Sequence, residues 1–419
     1  VMFFLVDCNN FFVSCELVFH PHLKGKPVVV LSNNDGCIIA RSNEAKKMGI
    51  KMGDPVFLHK KALEEKKVFA FSANFHLYGN LSTRVHEILK KFPFQVENYS
   101  IDEAFLFTPK KDPLELLSCA QTIKETILQW TGLPVSIGIS STKTLAKLAI
   151  ESAKKYVSNI YLIDEEKRID HLKKTPIEDI WGVGRQLKEK LENQNIYTAY
   201  HLMSYDLKRL KKLFSISMQK TALELQGHSA FSLEEFKKKS LTITSSRSYA
   251  TPLKTYQELK AAISYLVDTA SRKLRKEKLV SAYLTLYITT SRFEKNIDQY
   301  YSNFYSVNLS PPSSYTGDLL KAAQNCLKVI FKEAYSYKKA GILLENLIDE
   351  KNVEYDLFFS PALMEKKSRL SKAYDQIQEK YQKKALYYAS ENPNQTWKKK
   401  AYLRSSNFTG NWNEILKVK

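Results

Sequence analysis

Short apolar runs separated by polar turns set the rhythm of the chain from Phe3 to Ile163. Phe3 to Val6, Val28 to Leu31, Val96 to Phe107, Val135 to Ile139 and Ile160 to Ile163 are brief and rich in β-branched and aromatic residues, which predicts strands. Pro113 to Trp130 and Thr144 to Lys155 are long enough for helices, the second opened by Ser140-Ser141-Thr142 as a cap. The result is an α+β layout with an insertion from about Asn10 to Phe75 that holds polar, Gly-containing turns.

The pattern changes after that. Residues 165 to 230 read as short helices with few β-branched runs, and Glu234-Glu235-Phe236-Lys237-Lys238-Lys239 reads as a charged linker. Strands return at Leu241 to Tyr249 and Ala282 to Thr289, with amphipathic helices at Tyr256 to Lys276 and Gly317 to Tyr335. The expected order there is strand, helix, strand, strand, helix, strand, a small sheet with helices on one face. From Lys351 apolar residues thin out, apart from Asp356-Leu357-Phe358-Phe359 and a helical run around Leu363 to Tyr388.

Composition narrows the function classes. At 419 residues and 44% hydrophobic, the chain can build several cores and is not a disordered one. Lys and Arg total 64 against 44 Asp and Glu, a formal net charge of +20. The excess is spread over every segment, which suits a partner with dense negative charge. Five cysteines, without C-x-x-C spacing, point to reduced thiols and away from zinc or a disulfide framework. The eight histidines form no H-x-x-x-H pattern. No apolar stretch is long enough to span a bilayer, and Val1-Met2-Phe3-Phe4 lacks the basic flank of a signal peptide, so the cytoplasm is the expected location.

Three acids carry the first chemical hypothesis. Asp7 ends the run Phe3 to Val6, and Asp102-Glu103 sits inside Tyr99-Ser100-Ile101-Asp102-Glu103-Ala104-Phe105. A sheet can bring both clusters to one edge, where three carboxylates repel unless cations lie between them. Hard oxygen ligands of this kind favour Mg²⁺, so a two-metal phosphoryl or nucleotidyl transfer site is expected. For any acid pair taken alone, an ordinary strand end or turn is the better explanation.

Three further constellations point to nucleic acid. In Asp7-Cys8-Asn9-Asn10-Phe11-Phe12 two aromatics follow the first carboxylate, where a ring beneath a nucleotide sugar excludes a 2′-hydroxyl by steric clash; one of the two is also a candidate for plain core. Ile180-Trp181-Gly182-Val183-Gly184-Arg185, beside Lys188, places a Gly-x-Gly turn between short helices, where backbone amides can approach a phosphate, although a plain helix cap uses the same pattern. Arg41, Lys46 and Lys154 are candidates to neutralise a triphosphate.

Together these motifs, with Ser32-Asn33-Asn34-Asp35-Gly36-Cys37 and Met52-Gly53-Asp54-Pro55, make the chain resemble the Y-family translesion DNA polymerases, most closely their UmuC-type branch, from Phe3 to about Leu347. The resemblance implies a right-hand polymerase. It would have a ferredoxin-like palm (1 to 12 and 76 to 164), small fingers (13 to 75) and a helix-hairpin-helix thumb (165 to 230). A linker (231 to 240), an α/β little finger (241 to 347) and a C-terminal tail for partner binding (348 to 419) would follow. Asp7, Asp102 and Glu103 would be catalytic and, with the Cys8 carbonyl, would hold two Mg²⁺ ions. Phe12 would be the steric gate, with Phe11 packed beside it. Arg41, Asn43, Lys46 and Lys154 would bind the triphosphate, Asn43 and Lys46 standing where some relatives have Tyr and Arg. Gly182, Val183, Gly184 and Lys188 would meet the DNA backbone.

The implied activity is error-prone insertion of deoxynucleotides opposite damaged bases on primer-template DNA, within the SOS response. An open site that checks shape poorly would permit it. Glu354-Tyr355-Asp356-Leu357-Phe358 resembles a sliding-clamp motif, with Leu357 and Phe358 as anchors and Glu354 in place of the usual Gln. A UmuD-type dimer and a RecA filament are further implied partners. The rival readings are a stand-alone DinB-type polymerase, a non-catalytic DNA-binding repair scaffold and a nucleotide cyclase. The Asn33 to Gly36 block argues against the first, the spaced carboxylates against the second, and the basic third domain against the last.

Overall fold

The computed structural model describes residues 1–65, 67–109, 112–233, 240–293, 300–353, 360–381, 385–391 and 401–416. The chain forms two compact units, one of residues 1–237 with 401–419, the other of residues 238–400. The expected tail over 348–419 is therefore divided between them.

The first unit opens with β1 (Met2–Cys8) and α1 (Phe11–Phe19), then β2 (Val28–Leu31), β3 (Ile38–Arg41), α2 (Asn43–Lys47), α3 (Lys60–Glu64) and β4 (Phe69–Ser72). It continues through α4 (Phe75–Leu89), β5 (Gln95–Asn98), β6 (Glu103–Thr108), α5 (Pro113–Thr131), β7 (Val135–Ser140), α6 (Lys143–Ala153) and β8 (Ile160–Leu162). The single strand expected over Val96 to Phe107 is two strands, because the turn at Tyr99 to Asp102 folds β6 back on β5.

Five strands form one sheet in the order β5-β6-β1-β7-β8, and three more form a small sheet, β3-β2-β4. Side chains alternate across a strand, and β1 shows the consequence. Phe4, Val6 and Cys8 join the large core under α4 and α5, whereas Phe3 and Leu5 join Phe105, Ala146 and Ile150 on the face covered by α6. Gly138 makes that second contact possible: a Cβ there would lie 2.5 Å from the Ala146 carbonyl oxygen and 2.6 Å from the Ile150 nitrogen. The Thr142 side chain caps α6 by accepting from the Leu145 amide, so the helix starts where the sequence predicts.

Five further helices, α7 (Glu165–Lys174), α8 (Arg185–Glu192), α9 (Ala199–Ser204), α10 (Leu207–Leu213) and α11 (Ile216–Leu225), share a core that includes Leu145 and Leu148 of α6. Buried Glu224 ties α11 to the start of α6, accepting from the Thr144 amide at 2.8 Å and its hydroxyl at 2.9 Å.

The second unit has β9 (Ile243–Leu253), α12 (Tyr256–Lys276), β10 (Leu279–Thr289), β11 (Ser302–Ser313), α13 (Thr316–Ile330), β12 (Tyr337–Asp349) and α14 (Pro361–Tyr381). Its sheet order is β11-β10-β12-β9, and apolar positions of α12 and α13 close one core against it. The alternation of strands and helices follows the sequence expectation. Helix α13 ends at Ile330, earlier than Tyr335, because the chain turns there to enter β12.

Candidate active site

Strand register decides which acids meet. Asp7 on β1 and Glu103 on β6 are direct antiparallel partners, and the alternation that places Phe3, Leu5 and Phe105 under α6 places both carboxylates on that same face. Asp102 belongs to the turn just before β6, where its carbonyl accepts from the Cys8 amide at 2.9 Å. Ser100 shapes this turn: its hydroxyl donates to the Asp102 carboxylate at 2.6 Å and accepts from the amides of Asp102 and Glu103.

Helix α6 supplies the opposing charge. Lys147 donates to both Glu103 carboxylate oxygens at 3.0 Å, while Lys154, just past the helix end, lies 3.5 Å from Asp7 and 3.2 Å from Glu151. The two cations do not balance the site. Burial pushes the Asp7 carboxyl up to about 7, Lys154 opposes the shift, and the charges of Glu103 and Asp102 add to it. Burial and the same three acids hold the Cys8 thiol well above its usual range, so its sulfur stays protonated and only its backbone is available.

This donor set fits a hard divalent cation. Three carboxylates gather at one strand end, hard oxygen donors of the kind Mg²⁺ takes, and burial with the charges of Glu103 and Asp102 raises the Asp7 carboxyl against the pull of Lys154. Among the described residues no three acidic, histidine or cysteine side chains stand close enough to share one ion, and Lys147 and Ser100 engage two of the three carboxylates.

The aromatic pair divides its roles. Phe11 is 4% exposed and lies in the large core, while Phe12 is half-buried and stacks on Tyr78 of α4 with ring centroids 4.7 Å apart and planes at 17°. Nearby, Asn10, Asn43 and Lys46 form one polar cluster: Lys46 donates to the Asn10 side-chain oxygen at 2.7 Å, and the Asn10 amide donates to Asn43 at 3.1 Å. Buried Ser42 caps α2 and so sets where Asn43 and Lys46 emerge. The Lys46 ammonium is held below its usual range by burial and then by the charges of Arg41 and Lys154. The three cations expected to face a triphosphate therefore sense one another.

The Gly-x-Gly turn departs from a symmetrical hairpin. Gly182 has φ +91°, which requires glycine, and Gly184 caps α8, but the element before them is a single 3₁₀ turn, Ile177–Asp179. Val183 is buried, and Lys188 pairs with Glu178 at 2.5 Å. The neighbouring Trp181 indole donates to the Tyr99 hydroxyl at 3.1 Å, and the Lys147 ammonium lies 4.6 Å from the Tyr99 ring centroid and 5.6 Å from that of Trp181. This turn thereby reaches the cation that holds Glu103. Sequence reasoning missed Lys147, Trp181 and Tyr78. The one available signal was the seven-residue spacing of Lys147 and Lys154, which puts both on one helix face. Leu357 and Phe358 lie outside the described residues.

Comparison with known proteins adds independent information. The description "impB/mucB/samB family" matches residues 6–151, its C-terminal domain matches 240–357, and a domain of unknown function matches 368–418. Protein UmuC of Salmonella typhimurium is 37% identical, with 100% of both chains covered, and Protein SamB of the same organism is 35% identical over 99% of each. DNA polymerase IV of Ureaplasma parvum is 27% identical over 84% of this chain and 96% of its own. Among solved structures, a Y-family DNA polymerase chimera of Dbh and Dpo4 superposes with a TM-score of 0.69 at 22% identity, covering 83% of this chain and 99% of the other. The insertion ternary complex of Dbh DNA polymerase gives 0.55 at 21%, with the same coverage. Matched along its whole length by Protein UmuC at 37% identity, and sharing an α+β fold with the solved polymerase chains, the chain belongs to the impB/mucB/samB family.

Proposed function

We propose that this chain is a template-directed DNA polymerase that inserts deoxynucleotides opposite damaged template bases. The observation that carries the reading is the pairing of Asp7 with Glu103 across adjacent strands, beside Asp102, with the charges of Lys154 and Lys46 acting at Asp7. Anionic ligands on one side and cations on the other suit a reaction in which a primer 3′-hydroxyl attacks an α-phosphate and pyrophosphate leaves.

Polymerases of this family depend on a divalent metal. Two Mg²⁺ ions are the proposed complement here, held by Asp7, Asp102, Glu103 and the Cys8 carbonyl. Bound there, they supply charge stabilisation for the attacking and leaving oxygens. The chain's own groups do the rest. Phe12, backed by Tyr78, acts as the gate that excludes a ribose 2′-hydroxyl. Lys46, Asn43, Arg41 and Lys154 orient the triphosphate, and the Gly182 to Gly184 turn contacts the DNA backbone together with Lys188 once its pairing with Glu178 yields.

The proposed domains are a palm (1 to 12 and 76 to 164), fingers (13 to 75), a thumb (165 to 230) and a little finger (241 to 347). Primer-template DNA and deoxynucleotides are the proposed substrates, with a sliding clamp, a UmuD-type dimer and a RecA filament as partners in a cytoplasmic SOS response. Primer extension on intact and abasic templates tests the reading. Extension past the lesion that disappears in Asp102→Ala supports it, and extension that survives Asp102→Ala refutes the site.

A further inference from the structure

The match to a domain of unknown function ends in a segment that belongs to the first unit. We propose that residues 402–408 are a positioning element for sugar selection, which through Ser405 and the buried carboxylate of Glu16 fixes the Tyr78 ring on which Phe12 stacks. The inference rests on the reading of Phe12 as the sugar gate.

Phe12 and Glu16 stand four residues apart on α1, so they share one helix face. Tyr78 bridges the two: its ring stacks on Phe12, and its hydroxyl donates to the Glu16 carboxylate at 2.6 Å. Glu16 and Tyr78 are both 0% exposed. A carboxylate buried this way is costly unless hydrogen bonds satisfy it. The C-terminal segment supplies one, from the Ser405 hydroxyl to the same Glu16 oxygen at 3.1 Å, and the Arg404 charge acts on that carboxylate too.

A second set of contacts holds the other end of the lever. Asn74 caps α4, the helix that carries Tyr78 one turn later, by accepting from the Leu77 amide. Its side-chain amide donates to the Ser405 carbonyl and hydroxyl at 3.1 Å and to the Ser406 carbonyl at 3.2 Å. Leu403 exchanges bonds with Ser72 at the end of β4, and Phe408 stacks on Phe19 of α1 with centroids 4.6 Å apart. The helix cap that places Tyr78 and the acceptor that orients its hydroxyl thus both depend on this segment. A tail merely covering apolar surface has no need to aim polar groups at two buried polar side chains.

Single-nucleotide primer extension with the full-length chain tests this, reading kcat/KM for deoxy- and ribonucleotides. Ser405→Ala and Glu16→Leu lower the deoxy-over-ribo ratio by roughly three- to tenfold, the scale of one lost hydrogen bond to a buried acceptor. The change appears as a lower ribonucleotide KM. Glu16→Gln, which keeps an oxygen acceptor for Tyr78 and Ser405, retains the parental ratio. Phe12→Ala lowers the ratio furthest, and Ser405→Ala adds nothing in that background because the two act through one ring. A parental ratio in both Ser405→Ala and Glu16→Leu, with Phe12→Ala relaxed, overturns the positioning role and leaves the gate standing. A parental ratio in Phe12→Ala overturns the gate and the proposal with it. Should Glu16→Leu fail to fold, Ser405→Ala decides alone.

Discussion

Lys147 and Lys154 stand about two turns apart on one face of α6 and end on different carboxylates, Glu103 and Asp7. One helix therefore sets the charge of two strands. Lys147 is the tighter of the two, reaching both oxygens of Glu103 and lying against the rings of Tyr99 and Trp181.

Removing Lys147 leaves Glu103 half-buried without its ammonium partner. In the absence of divalent cation, Lys147→Met is expected to cost about 1–3 kcal/mol of stability, the usual scale for losing a hydrogen-bonded charge partner. The freed carboxylate should then saturate with cation at lower concentration. Chemical denaturation in chelator, followed by a cation titration of primer extension, measures both. A parental cation requirement would show that Glu103 is not a ligand.

The Asp7 carboxyl makes stability depend on pH. Its folded value of about 7 lies above the ordinary 3.8, so the native chain holds a proton that the unfolded chain releases between those values. The stabilisation is complete below about pH 4 and is lost as pH rises through 7. Asp7→Asn should flatten that loss in chelator. Because a cation must displace the proton, thermal stabilisation by Mg²⁺ should be larger at pH 8 than at pH 6 and absent in Asp7→Asn. Equal shifts at both pH values would separate cation binding from this carboxyl.

Lys46 tests the nucleotide side. It is positioned by Asn10 and Asn43 and lies in the field of Arg41 and Lys154. Lys46→Ala is expected to raise the deoxynucleotide KM about tenfold, the equivalent of roughly 1.4 kcal/mol for one charge-assisted contact. The dependence on primer-template concentration should not change. An unchanged nucleotide KM would remove Lys46 from the triphosphate site.

Gly138 tests whether the position of α6 matters. A Cβ there meets backbone atoms of Ala146 and Ile150, which flexible side chains cannot relieve. Gly138→Ala should cost about 1–3 kcal/mol through overpacking and displace both lysines, with a fall in extension rate. Gly79, in a helix with nothing within 4 Å of its added Cβ, is the matched control, and Gly79→Ala should leave activity and folding intact.

Much of this protein was legible in its sequence because much of it is local. Strand runs, the Thr142 cap of α6 and the alternation of β1 depend on neighbours a few residues away, and so does the element order of the second unit. The nucleotide motifs were legible for the same reason: Asp102-Glu103 and Phe11-Phe12 each fall in one short stretch.

Tertiary structure decided everything that required two distant segments to choose a register or a face. Pairing Asp7 with Glu103 depends on how β1 and β6 align, and a one-residue slip would have turned one carboxylate to the opposite face. Which of Phe11 and Phe12 becomes core depends on where Tyr78 arrives, and which lysines matter depends on how closely α6 approaches the sheet over Gly138. The seating of Ser405 on Glu16 and Asn74 is the extreme case, since buried polar groups find partners by proximity in space, a quantity that residue order alone does not contain.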